Sequence, residues 1–316
     1  MRSTCCISPG LLMFDLPPGR CGIVAHDAGA ANQILHWIVA GDLSDIDIAL
    51  SLHGPAKVIA DRLGLLSAMA NIEDPEALIQ NVDWIISGTG WATEIEKYAM
   101  SGARQRGIPV LAVLDHWVNY RPRFNYLADG LPDVDELWVV DEEAQVLAAA
   151  EFPGSTVRTM PGRYLQAQVE DISLPKTSGK VLFLMEPVRE QWGAAQPDKP
   201  VSCKSGEFLA FDFFLGALQT SGVDVSEIVI RPHPSDPPGK YDFLANAGDS
   251  SIKVRADDSL AQAISVATFV VGLNSYAMVV ALAAGRKVYC ALPPEAPACV
   301  LPHAGITDLR QESFGV

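Results

Sequence analysis

Acidic, basic and small residues gather at a few points of this sequence, and each gathering points to a chemistry. The stretch HDAGAAN at 26–32 sets His26 and Asp27 beside Gly29 and ahead of Asn32. A carboxylate next to an imidazole can move a proton, and a small-residue turn opening a helix offers backbone N–H groups and the positive dipole end to an anion. The same residues have a plainer use, with Asp27 or Asn32 capping the helix and Gly29 allowing close packing. SGTGW at 87–91 puts Gly88 and Gly90 just ahead of Trp91. The pair lacks the third glycine and the later acidic residue of a dinucleotide fingerprint, so it reads as a tight turn lining a ligand site. LDHWVNYRPRF at 114–124 crowds Asp115, His116, Trp117, Asn119, Tyr120, Arg121 and Arg123 together. Rings that stack and polar groups that orient hydroxyls suit a polar ligand such as a sugar.

The second half has its own gatherings. In RPHPSD at 231–236, two prolines fix the backbone and leave Arg231 and His233, with Ser235 behind them, to grip a phosphate or a ribose. Further on, Gly272, Asn274 and Ser275 open an apolar helix, where side-chain and backbone donors can cap the helix or bind a phosphate. Glu186 follows the apolar run 181–185 and can accept from a nucleobase or a ribose. Asp133 with Asp135, and Asp45 with Asp47, form two D-x-D triplets. Each lies beside a strand start in an acidic chain and reads as a solvated turn, so no metal and no other cofactor is expected.

Elements of two kinds must position these groups. Short β-branched runs at 22–25, 46–52, 84–87, 110–114, 137–140 and 157–160 read as strands, with helices near 30–39, 56–63, 76–80, 92–106 and 142–150. The alternation restarts with strands at 181–185, 228–230, 252–254, 269–271 and 288–291 and helices at 207–219, 259–266 and 276–284. Between the halves, 166–179 reads as an irregular linker, and 188–205 as a surface loop or lid. The expected architecture is α/β, with two Rossmann-like doubly wound domains, 1–170 and 171–316, facing a central cleft. Ligands of such sheets sit at the carboxyl ends of the strands, where the gatherings lie.

Composition narrows the classes. With 23 Lys and Arg against 38 Asp and Glu, the net charge of −15 repels polyanions and argues against a nucleic-acid partner. An apolar share of 49% supplies two cores. The six cysteines show no disulfide or zinc spacing and read as reduced thiols. The apolar run at 11–14 is too short for a signal sequence, and the run at 267–284 has Asn274 and Ser275 at its centre. A cytoplasmic protein without a membrane span is expected, which leaves room for peripheral membrane association.

The second half resembles the donor half of bacterial GT-B glycosyltransferases that use cytidine-activated sugars, the sialyltransferase-like, Kdo-transferase-like and CDP-glycerol-transferase-like enzymes. The resemblance rests on R-P-H-P after a strand, then a strand, a small polar helix start and a helix ending in G-R-K-V, over roughly 181–291. The first half resembles polysaccharide-biosynthesis proteins with a D-A-G turn and an L-D-H-W-V-N-Y-R loop. The resemblance implies cytidine and phosphate held by the second domain, an acceptor held by the first, and no metal. The acidic pair followed by glycine that carries the base in several sialyltransferase families is missing, its nearest match being Ala128, Asp129 and Gly130. The base is therefore assigned locally, to Asp27, with Asp115 and His116 in reserve. Glu186, Arg231, His233, Ser235, Asn274 and Ser275 are assigned to a CMP-sugar donor, and His26, Gly29, Asn32, Gly88, Gly90, Trp91, Asn119 and Arg121 to a glycan or protein acceptor. The expected reaction is inverting glycosyl transfer. The alternatives are a non-catalytic sugar or nucleotide binder, and a sugar-nucleotide hydrolase or epimerase on the same fold.

Overall fold

A computed structural model describes residues 16–127, 130–175, 179–188, 192, 206–245 and 251–314. The apolar run at 11–14, Ala128 and Asp129, Cys5, Cys6 and Cys203, and nearly all of the 188–205 segment lie outside the described residues. Two units divide the chain, Met1–Tyr164 and Leu165–Val316.

The first unit is built on six parallel strands, β1 (Cys21–Ala25), β2 (Ile48–Leu52), β3 (Trp84–Ser87), β4 (Val110–Leu114), β5 (Glu136–Val139) and β6 (Val157–Thr159), in the order β2-β1-β3-β4-β5-β6. Its crossover segments hold α1 (Ala28–Val39), α2 (Gly54–Arg62), α3 (Leu65–Ala68), α4 (Pro75–Ile79), α5 (Ile95–Gln105) and α6 (Glu142–Glu151), with α7 (Arg163–Glu170) after β6. Strands covered on both faces must be apolar throughout, and β1, β3 and β4 are buried at every position. The core centres on Ile23, Ile34, Leu50, Ile86 and Val113, with the Trp37 and Trp138 rings edge to face at 5.5 Å.

The second unit repeats the plan with β7 (Lys180–Leu184), β8 (Glu227–Arg231), β9 (Ile252–Val254), β10 (Phe269–Gly272), β11 (Lys287–Cys290) and β12 (Ile306–Asp308), all parallel, in the order β12-β11-β10-β7-β8-β9. Its helices are α8 (Gly206–Ser221), α9 (Asp242–Ala245), α10 (Leu260–Val266) and α11 (Tyr276–Ala283). Ser259 and Gln262 close a capping box on α10, and Ser275 Oγ accepts from Ala277 N at the head of α11. Phe183, Phe211, Phe214, Phe269, Tyr289 and Phe314 form an aromatic core, in which the Tyr289 and Phe314 rings lie 4.7 Å apart. Among the described residues no helix is long and apolar enough to cross a membrane.

Two expectations change, and one strand lies where none was expected. The linker read at 166–179 is helical as far as Glu170, because Arg163 anchors the start of α7 through a two-pronged ion pair with Asp42. The helix expected from residue 92 begins at Ile95, since the turn before it is tied to Asp27. The last strand, β12, is too short for an alternation to show in the sequence and exists only through its pairing with β11.

Candidate functional site

Each sheet reverses its strand order once, between β1 and β3 in the first unit and between β7 and β10 in the second. At such a point the loops leaving two adjacent strands run apart and open a crevice at the carboxyl ends. Residues that the sequence singled out stand at both points of reversal.

In the first unit Asp27 leaves β1. It stands at the N-cap position of α1 but makes no capping bond; its Oδ1 meets His26 Nδ1 at 2.7 Å, and its Oδ2 accepts from Trp91 N at 3.1 Å and Ala92 N at 3.5 Å. The carboxylate thus ties the β1 loop to the β3 loop and leaves the α1 N-terminus uncapped. Gly90 and Gly29 make this possible, because a Cβ on Gly90 would land on the Asp27 carboxylate and one on Gly29 would land on that of Asp115. The His26 ring lies against Gly54, whose φ of 45° and bare Cα suit glycine alone.

Beneath these groups sits Glu96, fully buried on α5. Its Oε1 accepts from His26 N at 3.0 Å and its Oε2 from Gly90 N at 2.7 Å. Burial, with the Asp27 and Asp115 carboxylates nearby, pushes its carboxyl up from 4.5 to about 7. Gly88 packs against the same carboxylate. Asp115, at the end of β4, is paired to Arg123 at 2.6 Å, and Arg123 also donates to Thr89 Oγ1 at 2.9 Å while lying 5.3 Å from the Trp91 ring. Trp91 is half exposed beside them. Three carboxylates, one imidazole and one guanidinium therefore converge on the ends of β1, β3 and β4. His53, leaving β2, places its Nε2 3.2 Å from Ser51 Oγ, and burial holds its imidazole below the ordinary value.

Other residues from the same loops go elsewhere. Arg121 binds Glu151 on the surface and donates to its carbonyl at 3.0 Å. Asn32 uses its backbone carbonyl to accept from His36 Nδ1 at 2.7 Å. His116 meets Trp117 edge to face, with ring centroids 5.0 Å apart, and the Trp117 indole donates to Asp141 at 2.9 Å. Asn119 takes a φ of 60°, which turns the loop so that Tyr120 is buried. Asp133 and Asp135 both meet Arg104, at 3.0 and 2.9 Å.

In the second unit Glu186 follows β7 and its Oε2 accepts from Asn274 N, just past β10, at 2.9 Å across the point of reversal. Burial raises its carboxyl above the ordinary range. Asn274 Oδ1 in turn accepts from Val300 N at 2.9 Å. His233 Nδ1 accepts from Ser235 N at 3.2 Å and lies 2.7 Å from Ser235 Oγ. An Nδ1 that accepts leaves the proton on Nε2, and burial lowers the imidazole's affinity for a second one. His233 is thus set as a neutral Nε2–H donor. Its own N–H binds Asp236, which is held by Lys240 at 2.6 Å, and Lys240 reaches the buried Glu207 at 2.7 Å. Arg231 turns to the Asp258 carbonyl at 2.5 Å.

Sequence reasoning missed Glu96, Arg123 as the partner of Asp115, His53 and Glu207. A signal existed for the two glutamates. Glu96 stands in register with the buried Ala99, Met100 and Ala103, and Glu207 with Ala210, Phe211 and Phe214. An acid on the apolar stripe of a helix is buried and must have a partner.

No family model and no curated protein matches the chain. Solved structures do. The chain is similar to the UDP-GlcNAc 2-epimerase of Methanocaldococcus jannaschii, at 10% identity and a TM-score of 0.57 over 86% of this chain and 83% of that one. It is equally similar to UDP-GlcNAc 2-epimerase from Neisseria meningitidis bound to UDP-GlcNAc, at 10% identity and a TM-score of 0.56 over 86% and 82% of the two chains. A third likeness is to Anabaena Alr3699/HepE in complex with UDP and glucose, at 11% identity and a TM-score of 0.50 over 86% and 80%. Likeness at such identities is likeness of fold, and with the two parallel six-stranded sheets it identifies a two-domain, Rossmann-like α/β fold of the GT-B-like kind.

Proposed function

We propose that this chain is an enzyme acting on a nucleotide-activated sugar, that the nucleotide is UDP, and that the reaction is acid/base inversion at a sugar carbon. The observation that carries the reading is the convergence of the His26–Asp27 pair and the Asp115–Arg123 pair over the buried Glu96. Inversion at a carbon bearing hydrogen needs one group to take a proton and another to return it from the opposite face, so it calls for two differently supported acid/base groups. Asp27 with His26 supplies one such group and Asp115 the other, while the exposed Trp91 ring offers a stacking surface for a sugar. Glu96 has no exposed surface, so its part is to position His26 and Gly90. In the second unit the His233 Nε2–H and the Ser275 turn suit a phosphate, and Glu186 suits a ribose hydroxyl.

The sequence led to a CMP-activated donor and glycosyl transfer. The solved structures that share the fold include two bound to UDP or a UDP-sugar, which favours UDP and the epimerase alternative. The decisive experiment incubates the protein with UDP-GlcNAc in D2O and follows the sugar protons by NMR. The expected result is a second sugar epimer with deuterium at the inverted carbon. Release of free sugar and UDP without inversion assigns a hydrolase. CMP release from a CMP-sugar only when an acceptor is added overturns the reading in favour of transfer.

A further inference from the structure

We propose that Cys290 and Cys299 form a reversible dithiol/disulfide modification site that reacts with small disulfides such as oxidised glutathione, and that its oxidation acts on the Asn274 turn. The proposal does not depend on which sugar nucleotide the protein takes. Cys290 ends β11 and is fully buried, whereas Cys299 is partly exposed. Both Sγ atoms point at one carbonyl, that of Leu273, at 3.3 and 3.5 Å. Two sulfurs held on one acceptor at those distances are neighbours. The segment between them carries Pro293, Pro294 and Pro297, whose fixed φ limits how far the Cys299 sulfur can stray.

Their position links them to the candidate nucleotide site. Leu273, whose carbonyl both thiols approach, precedes Asn274, and Val300, which follows Cys299, donates to Asn274 Oδ1 at 2.9 Å. Asn274 N in turn holds Glu186. A bond between the sulfurs would withdraw both S–H donors from the Leu273 carbonyl and fix the strap that carries Val300.

The chemistry assigns a role to each thiol. The hydrogen bond from Cys290 holds the Cys299 thiol below its ordinary value, while that same contact and then burial push Cys290 up. Cys299, accessible and the readier thiolate, attacks one sulfur of oxidised glutathione; the glutathione S–S bond breaks and one glutathione thiolate leaves and is protonated. Cys290 then attacks the Cys299 sulfur, the Cys299–glutathione S–S bond breaks, and the departing second glutathione thiolate takes the Cys290 proton. Two thiol hydrogens and two electrons pass to one oxidised glutathione, giving two glutathione thiols and the internal disulfide.

The test exposes the reduced full-length chain to oxidised glutathione, then maps it by peptide mass spectrometry and hydrogen/deuterium exchange. The expected result is a cross-linked peptide joining Cys290 to Cys299, lighter than the dithiol by two hydrogens and reversed by dithiothreitol. Cys290→Ser should instead hold a glutathione adduct on Cys299. Exchange at Asn274 and Val300 should differ between the reduced and oxidised wild type. A lasting mixed disulfide on wild-type Cys299, or both thiols unmodified, overturns the site. A Cys290–Cys299 disulfide with unchanged exchange at Asn274 and Val300 overturns its link to the turn. Neither wild-type measurement depends on a variant folding.

Discussion

Asp27 and Asp115 are both carboxylates at strand ends, yet their surroundings give them different duties. Asp27 is a quarter exposed and held by an imidazole and two loop amides, while Asp115 is paired to a guanidinium that is only 6% exposed. Asp27→Asn keeps an acceptor for the Trp91 amide and removes no cap, so stability should fall by no more than about 1 kcal/mol. The loss of a general base should lower kcat by about 10² to 10⁴. Asp115→Ala strands the buried Arg123 and should cost roughly 3 kcal/mol as well as activity. Melting temperature beside kcat separates the two; a variant of Asp27 that turns over at the wild-type rate would remove it from the chemistry. Glu96 makes a second residue-scale prediction. Folded, it keeps its proton to about 7, whereas the unfolded carboxyl releases it near 4.5. Between those values the folded state binds the extra proton, so its contribution to stability is full below about pH 4.5, declines as pH rises to about 7 and is level above, a change of roughly 3 kcal/mol. Urea unfolding across that range should show this decline in the wild type and not in Glu96→Gln; equal slopes would mean Glu96 ionises as in the unfolded chain.

At the scale of elements, the site is assembled by loops that two glycines let pass close together. Gly29 lies in the first turn of α1 with its bare Cα against Asp115. In a helix an alanine would favour folding by about 1 kcal/mol, but its methyl must push the Asp115 carboxylate off Arg123. Gly29→Ala should therefore lower the melting temperature, since loosening the Asp115–Arg123 pair outweighs the helix gain, and should lower kcat/KM by about tenfold or more. Full activity in that variant would show that Asp115 does not need its observed place. Elements also explain what the sequence hid. The glycines at 88 and 90 and the acid at 27 were legible as separate loop features, since turn residues announce themselves locally. That Asp27 binds the Trp91 and Ala92 amides and leaves its own helix uncapped was not, because the partners are more than sixty residues apart in sequence.

On the scale of the molecule, the net charge of −15 sets a field against any phosphorylated substrate. Added salt shortens the Debye length to about 10 Å at 0.1 M and screens that field, so the association rate of UDP should rise with ionic strength when followed by stopped flow. A steep fall with salt would show that local cations, not the overall charge, steer the ligand. The sequence by itself determined the class of the molecule. Apolar runs of strand length alternating with helical stretches admit one economical answer, parallel sheets with crossover helices, and eleven of the strands and the residues just past them were readable from local periodicity. The short β12 was not, nor were α3, α7 and α9. Tertiary structure alone decided the strand order, and with it the two reversals that bring the β1 and β3 loops together in one unit and the β7 and β10 loops in the other. It alone drew Glu96 under His26 and Gly90, and Glu186 onto Asn274. The physical reason is that periodicity records which face of an element is buried, but not which neighbour buries it. That choice is made by packing between segments far apart in the chain, and a candidate site built from strand ends is made of such choices.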